Sequence, residues 1–218
     1  MKNQMKKYVF PLGLYLVTLM FGLVIYKMLE PYLIREWLSL ITRAVLALAF
    51  LTFIIKYVKN SNDLFQLEKI SKVHIGLVLF LFSLFAINNY FYSVYSTNMD
   101  YLKTSALDLV IVGFIVNSFF EEFAYRGFLQ GYVNQNSRTL SQPISRGNLF
   151  ASSLMLISHL GFFTVMDTLF AITGLLLVFV FSLVLGYMRD QGVSIWFLII
   201  VHTVVNFIHL IINLHHYI

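Results

Sequence analysis

The chain has 218 residues, 59% of them hydrophobic and only 11% charged, with a formal net charge of +5 and a mean hydropathy of +0.80. Soluble domains carry about 45–50% apolar and about 25% charged residues, so this composition excludes a soluble enzyme and a nucleic-acid-binding module and makes the lipid bilayer the solvent. Cysteine is absent, which excludes disulfides, thiolate metal sites and a cysteine nucleophile.

At about 20 apolar residues per crossing, the sequence predicts an all-α, polytopic integral membrane helix bundle of about seven transmembrane helices. They fall near 8–26, 37–55, 73–95, 105–126, 148–163, 169–188 and 193–214. The first follows the basic segment Met1–Lys7 but exceeds a signal-peptide apolar region, and no small-residue cleavage site follows it, so it reads as a helix. The fifth is short and the turn Thr164–Thr168 is tight, which predicts a helical hairpin with the sixth. Polar connections run over Ser61–Lys72 and Asn134–Gly147, and no internal repeat appears. The reading is one integrated domain, with three N-terminal spans in 1–104 and a core in 105–214.

Positively charged loops stay on the cytoplasmic side. With the N-terminus inside, ten Lys and Arg, among them Lys2, Lys69, Lys72, Arg138 and Arg189, fall on the inner side, against Lys27, Arg35 and Lys103 outside. The expectation is a cytoplasmic N-terminus and an extracytoplasmic C-terminus.

Ionisable residues inside a membrane are costly and face a bundle interior or a water-filled cavity. The fourth span carries Glu121, Glu122 and Arg126, the fifth Ser158 and His159, and the seventh His202 and Asn206. Residues four apart share a helix face, so Glu122 is expected to pair with Arg126, while Glu121, about 100° round the wheel, points elsewhere. His202 and Asn206 project together toward one neighbour. At 1.5 Å per residue, His159 lies about 16 Å and His202 about 14 Å from the inner starts of their spans, and Glu121 lies about 18 Å from the inner end of its helix if that helix runs on to about Val133. A carboxylate and two imidazoles at one depth can form one site.

That set suits hydrolysis. Burial in a low-dielectric cavity makes a carboxylate a better proton acceptor for water, and His and Asn donors can stabilise a developing oxyanion. Ser158 adjoins His159, but neighbouring helix residues do not face each other, which leaves water as the nucleophile. Glu121, His159 and His202 are also candidate ligands for a divalent metal such as zinc, yet no metal-binding spacing lies within one helix, and the metal question stays open. Other polar residues have plainer readings. His209 and Asn213 repeat the H-x-x-x-N spacing at an interface, His74 is interfacial, His215 and His216 are solvated, and Arg43 and Asp108 pair with each other or snorkel.

Glu121-Glu122-x-x-x-Arg126, then His159, then His202-x-x-x-Asn206, resembles the CPBP family of intramembrane proteases, which includes the type II CAAX prenyl endopeptidases and the bacterial Abi proteins of bacteriocin processing and self-immunity. The resemblance covers 105–214 and includes Phe181-x-x-x-x-Gly186-Tyr-x-Arg189 and Ser194-Ile-Trp196. One departure is Met155, where the family pattern has Phe four residues before its His. The resemblance implies that Glu121 activates water, that His159, His202 and Asn206 complete the catalytic set, and that Glu122 and Arg126 support it. It implies an endopeptidase acting on a membrane-embedded or lipidated protein or peptide, in a bacterial cell membrane. The alternative is a non-catalytic immunity or peptide-binding membrane protein.

Overall fold

The computed structural model describes residues 2–66, 70–97, 103, 106–137 and 144–217. The division at 104/105, the expected start of the fourth span, and the inner-side charges Lys69 and Arg138 lie outside them.

Helices dominate, as the apolar segments require. They are α1 (Lys2–Leu29), α2 (Arg35–Tyr57), α3 (Lys72–Tyr95), α4 (Leu107–Glu122), α5 (Gly131–Gln135), α6 (Arg146–Ser158), α7 (Phe162–Val165), α8 (Thr168–Asp190), α9 (Ile195–Ile212) and α10 (Leu214–Tyr217). Between α4 and α5 the helix does not stop; its backbone widens to a π-helix over Phe123–Gln130. Polar caps set several starts. Ser71 accepts from the His74 amide while the His74 ring accepts from the Ser71 amide, and Ser145 accepts from the Asn148 amide at 3.0 Å.

Among the described residues, six helical stretches are long and apolar enough to cross a membrane: Lys6–Leu29, Arg35–Tyr57, Lys72–Tyr95, Arg146–Val165, Thr168–Asp190 and Ile195–Ile212. The remaining expected span is helical from Leu107 through to Gln135, but it carries Asp108, Glu121, Glu122 and Arg126. The hairpin expected after residue 148 forms through α6, α7 and α8, with α6 packed along α8.

Large apolar side chains such as Val17, Met20, Leu48, Leu79, Leu176 and Ile200 are exposed. A soluble monomer rarely leaves so much apolar surface open; in an integral membrane protein it faces lipid. The π segment is the opposite. All eight of its residues are buried, wrapped by α2, α4 and α6, and Phe123, Phe128, Phe50, Ile54, Met155 and Phe181 share one apolar cluster with it. π-helical turns often sit at functional sites, and this one follows directly on the two glutamates.

Close approach holds α6 to α8. A Cβ on Gly186 would overlap the side chain of Asn148, whose amide donates to the Leu183 carbonyl at 2.9 Å. Gly192, at φ 89°, makes the left-handed turn from α8 into α9, where Arg189 donates to the Val193 carbonyl at 2.9 Å.

Candidate active site

Glu121 and Glu122 end α4, and α9 lies against that helix. Both acids meet one imidazole. The His202 ring nitrogen Nδ1 is 2.7 Å from Glu122 Oε1, and its Nε2 is 3.6 Å from Glu121 Oε2. All three residues are buried, and Phe181 packs edge-on against the His202 ring at 5.0 Å. As the α-helical wheel requires, Glu121 and Glu122 point apart, Glu121 to the cavity and Glu122 to Arg126; what the wheel did not show is that one imidazole meets both. An imidazole has two nitrogens on opposite edges, so one ring on a neighbouring helix reaches both carboxylates although they leave the helix in different directions.

Glu122 also pairs with Arg126, Oε2 to Nε at 3.8 Å. The guanidinium is fully buried. It donates to Gln130 Oε1 at 3.3 Å, to Ser152 Oγ at 3.5 Å and to Ser182 Oγ, and approaches Met155 Sδ at 3.8 Å. Ser182 in turn donates to Ser152 at 2.9 Å, and Ser152 to Asn148 Oδ1 at 3.0 Å. Glu122 and Arg126 thus form the root of a polar seam running from α4 into α6 and α8.

Glu121 is oriented separately. Asn117, one turn earlier, donates to its Oε1 at 2.7 Å, while Oε2 has no hydrogen-bond partner among the described residues. Asn117 lay within the polar motif, yet no role followed from its sequence; its four-residue offset from Glu121 was the available signal.

His159 does not sit within a helix. α6 ends at Ser158, and His159 caps it at φ −96°, ψ 4°. His159 stays inside the apolar stretch Arg146–Val165, but the break in the helix corrects the expectation that Ser158 and His159 stay apart: Ser158 Oγ lies 3.3 Å from His159 Nδ1. The contact does not activate the serine. Ser158 donates to the Met155 carbonyl at 2.8 Å and accepts from Tyr125 at 2.8 Å, and the same carbonyl takes the His159 Nδ1 proton at 2.8 Å. Nε2 is the ring nitrogen left for the interior.

Asn206 faces α4 together with His202, donating to Ser118 Oγ at 3.2 Å and to the Phe114 carbonyl at 3.4 Å. Glu121, His159, His202 and Asn206 all line one cavity of about 400 Å³, otherwise walled largely by Phe85, Phe114, Phe162, Val178 and Phe181. Glu122 and Arg126 lie behind its wall.

The remaining polar residues sort themselves. His209 has a partner within the bundle: its Nδ1 is 2.6 Å from Asn89 Oδ1, and Asn213 joins the same group at 3.4 Å, tying α9 to α3. His74 caps α3 and is buried. His215 is exposed, whereas His216 is partly covered. Arg43 and Asp108 do not pair: Asp108 is exposed at the start of α4, and Arg43 lines the cavity. Among the described residues no three His, Asp or Glu side chains converge closely enough to hold a metal ion. Glu121 and His202 approach each other, but the donor set does not close.

A polytopic membrane bundle with a carboxylate and an imidazole facing each other on the wall of an internal cavity defines the class. Residues 103–208, just under half of the chain, match the family described as "Type II CAAX prenyl endopeptidase Rce1-like", so this segment is similar to the CAAX-type membrane endopeptidases. No curated protein and no solved structure matches the chain.

Proposed function

We propose that the protein hydrolyses a peptide bond of a membrane-embedded or lipidated protein or peptide, using water activated by Glu121. The observation that carries this reading is the 3.6 Å approach of Glu121 Oε2 to His202 Nε2 on the wall of a largely apolar cavity inside the bundle. Glu121 Oε2 takes a proton from water, and the resulting hydroxide attacks the scissile carbonyl carbon. The carbonyl electron pair moves to oxygen, where the Asn206 amide, loosely held by its long bonds to α4, and His202 supply stabilisation. Collapse breaks the C–N bond, and the proton on Glu121 passes to the leaving amine, giving one acid and one amine.

The other side chains position these groups. Glu122 fixes the His202 ring through Nδ1 and directs Nε2 at Glu121. The Met155 carbonyl fixes the His159 ring in the same way, so that Nε2 serves as a second acceptor for the attacking water. Arg126 balances Glu122 and anchors it to α6 and α8.

The basic inner connections and the depth of the site, below about 20 Å from that side, support substrates reached from the cytoplasmic half of a bacterial cell membrane. Bacteriocin processing or self-immunity is the role that likeness to the Abi proteins adds. The test is cleavage by the purified protein in nanodiscs, offered a farnesylated, membrane-anchored peptide and its water-soluble counterpart, with products read by mass spectrometry. Cleavage of the anchored peptide is expected; cleavage of the soluble one alone contradicts the reading.

A further inference from the structure

Arg43 stands outside the polar set used above. It lies eight residues into α2, which places its Cα about 12 Å along the helix axis from that end. An intramembrane arginine normally pairs or snorkels. Arg43 makes no ion pair or hydrogen bond with any described residue, although α2 packs against α4 and its side chain lines the same cavity as Glu121. Asn88 of α3 lines that cavity too, partly buried and likewise without a partner among the described residues. Glu121 is the carboxylate whose charge reaches Arg43, yet it makes no direct pair with it: its Oε1 is held by Asn117 and its Oε2 faces His202. A guanidinium with five N–H groups and a carboxamide, both open to a cavity lined chiefly by apolar groups, present donors matched to a planar anion.

We propose that Arg43, with Asn88 beside the same space, is a carboxylate subsite that anchors the substrate peptide in the cavity. This rests on the reading of the cavity as an endopeptidase site. The carboxylate has two sources, a free chain end or an acidic side chain near the cleaved bond, and the chemistry recognised is the same for both.

The test uses the full-length protein in nanodiscs and three fluorophore-labelled farnesyl peptides: one ending in a free acid, its C-terminal amide, and the amide with glutamate as its last residue. Binding is measured by fluorescence anisotropy on the Glu121→Gln protein, and cleavage on the protein with Glu121 intact. Hydrogen bonds to charged groups contribute enough for about tenfold to a hundredfold in affinity, so the acid should bind that much more tightly than the amide. In Arg43→Gln that ratio should fall to near one, and Arg43→Lys should keep part of it. Recovery by the glutamate-ended amide assigns the anion to a side chain; no recovery assigns it to the chain end.

Equal binding of acid and amide to the Arg43 protein overturns the subsite, and needs no variant to fold. An Arg43→Gln change that weakens all three peptides alike also overturns it, because a cation serving only to balance Glu121 would act in that way. If the acid is preferred through Arg43 but no peptide is cut, the endopeptidase reading fails and the subsite stands. Cleavage without any acid preference leaves the reverse. Absence of both binding and cleavage overturns both.

Discussion

Glu122 holds His202 by its Nδ1 at 2.7 Å while pairing with Arg126 at 3.8 Å on its other oxygen. One buried carboxylate therefore serves a ring that faces the cavity and a cation that faces the helix seam. Its neighbour Glu121 is left to the cavity side of the same ring.

Glu122→Gln should accordingly damage the fold. It leaves Arg126 buried without its counter-charge, and breaking a buried pair by removing one member costs about 3–5 kcal/mol. Size-exclusion of the detergent-solubilised variant should show a reduced monodisperse yield and a lower unfolding temperature. Normal yield and temperature would reassign Glu122 from support to chemistry.

Ser158 offers a sharper test of the nucleophile. Its hydroxyl is committed to the Met155 carbonyl and to Tyr125, and removing one hydrogen-bonded group costs about 0.5–1.5 kcal/mol. Ser158→Ala should lower turnover by less than about tenfold. A loss of several orders of magnitude would make the serine, not water, the attacking group.

The α6–α8 seam has no room for a methyl group at Gly186, where a Cβ would overlap Asn148. Overpacking typically costs about 1–3 kcal/mol, so Gly186→Ala should lower the unfolding temperature by several degrees. Gly161, whose Cβ would meet nothing within 4 Å, is the matched control and should show a smaller change on substitution by Ala.

Topology is testable at the C-terminus. Among the described residues six stretches are apolar enough to cross unaided, and an even count would return the chain to its starting side. If Leu107–Gln135 also crosses, as the ten-to-three division of Lys and Arg requires, a C-terminal reporter will be extracytoplasmic. A cytoplasmic reporter would remove that crossing.

The helices were legible because apolar length is a local property, read directly from segments such as 37–55 and 169–188. The spacing of Glu122 and Arg126 was legible for the same reason. Four features were not. The π-helix over Phe123–Gln130 is not announced by its sequence, in which only Gly127 departs from residues common in α-helices. The end of α6 at Ser158 is marked only by Ser158, His159 and Gly161 within an otherwise apolar stretch, with no proline to announce it. The bridging of Glu121 and Glu122 by His202 depends on how α9 sits against α4, a relation between segments about 80 residues apart that no local pattern encodes. Arg43 belongs with these: its composition suggested snorkelling, and only packing turned it to the cavity.

The central claim is that Glu121 is the proton acceptor for the attacking water. Its most direct measurement is single-turnover cleavage of the anchored peptide by Glu121→Gln, with size-exclusion confirming that the variant is folded. The amide keeps the shape of the side chain but not its basicity, and loss of a general base typically costs about two to four orders of magnitude in rate. A folded variant slowed to that extent is the result expected here; a folded variant cutting at the unmodified rate would contradict it.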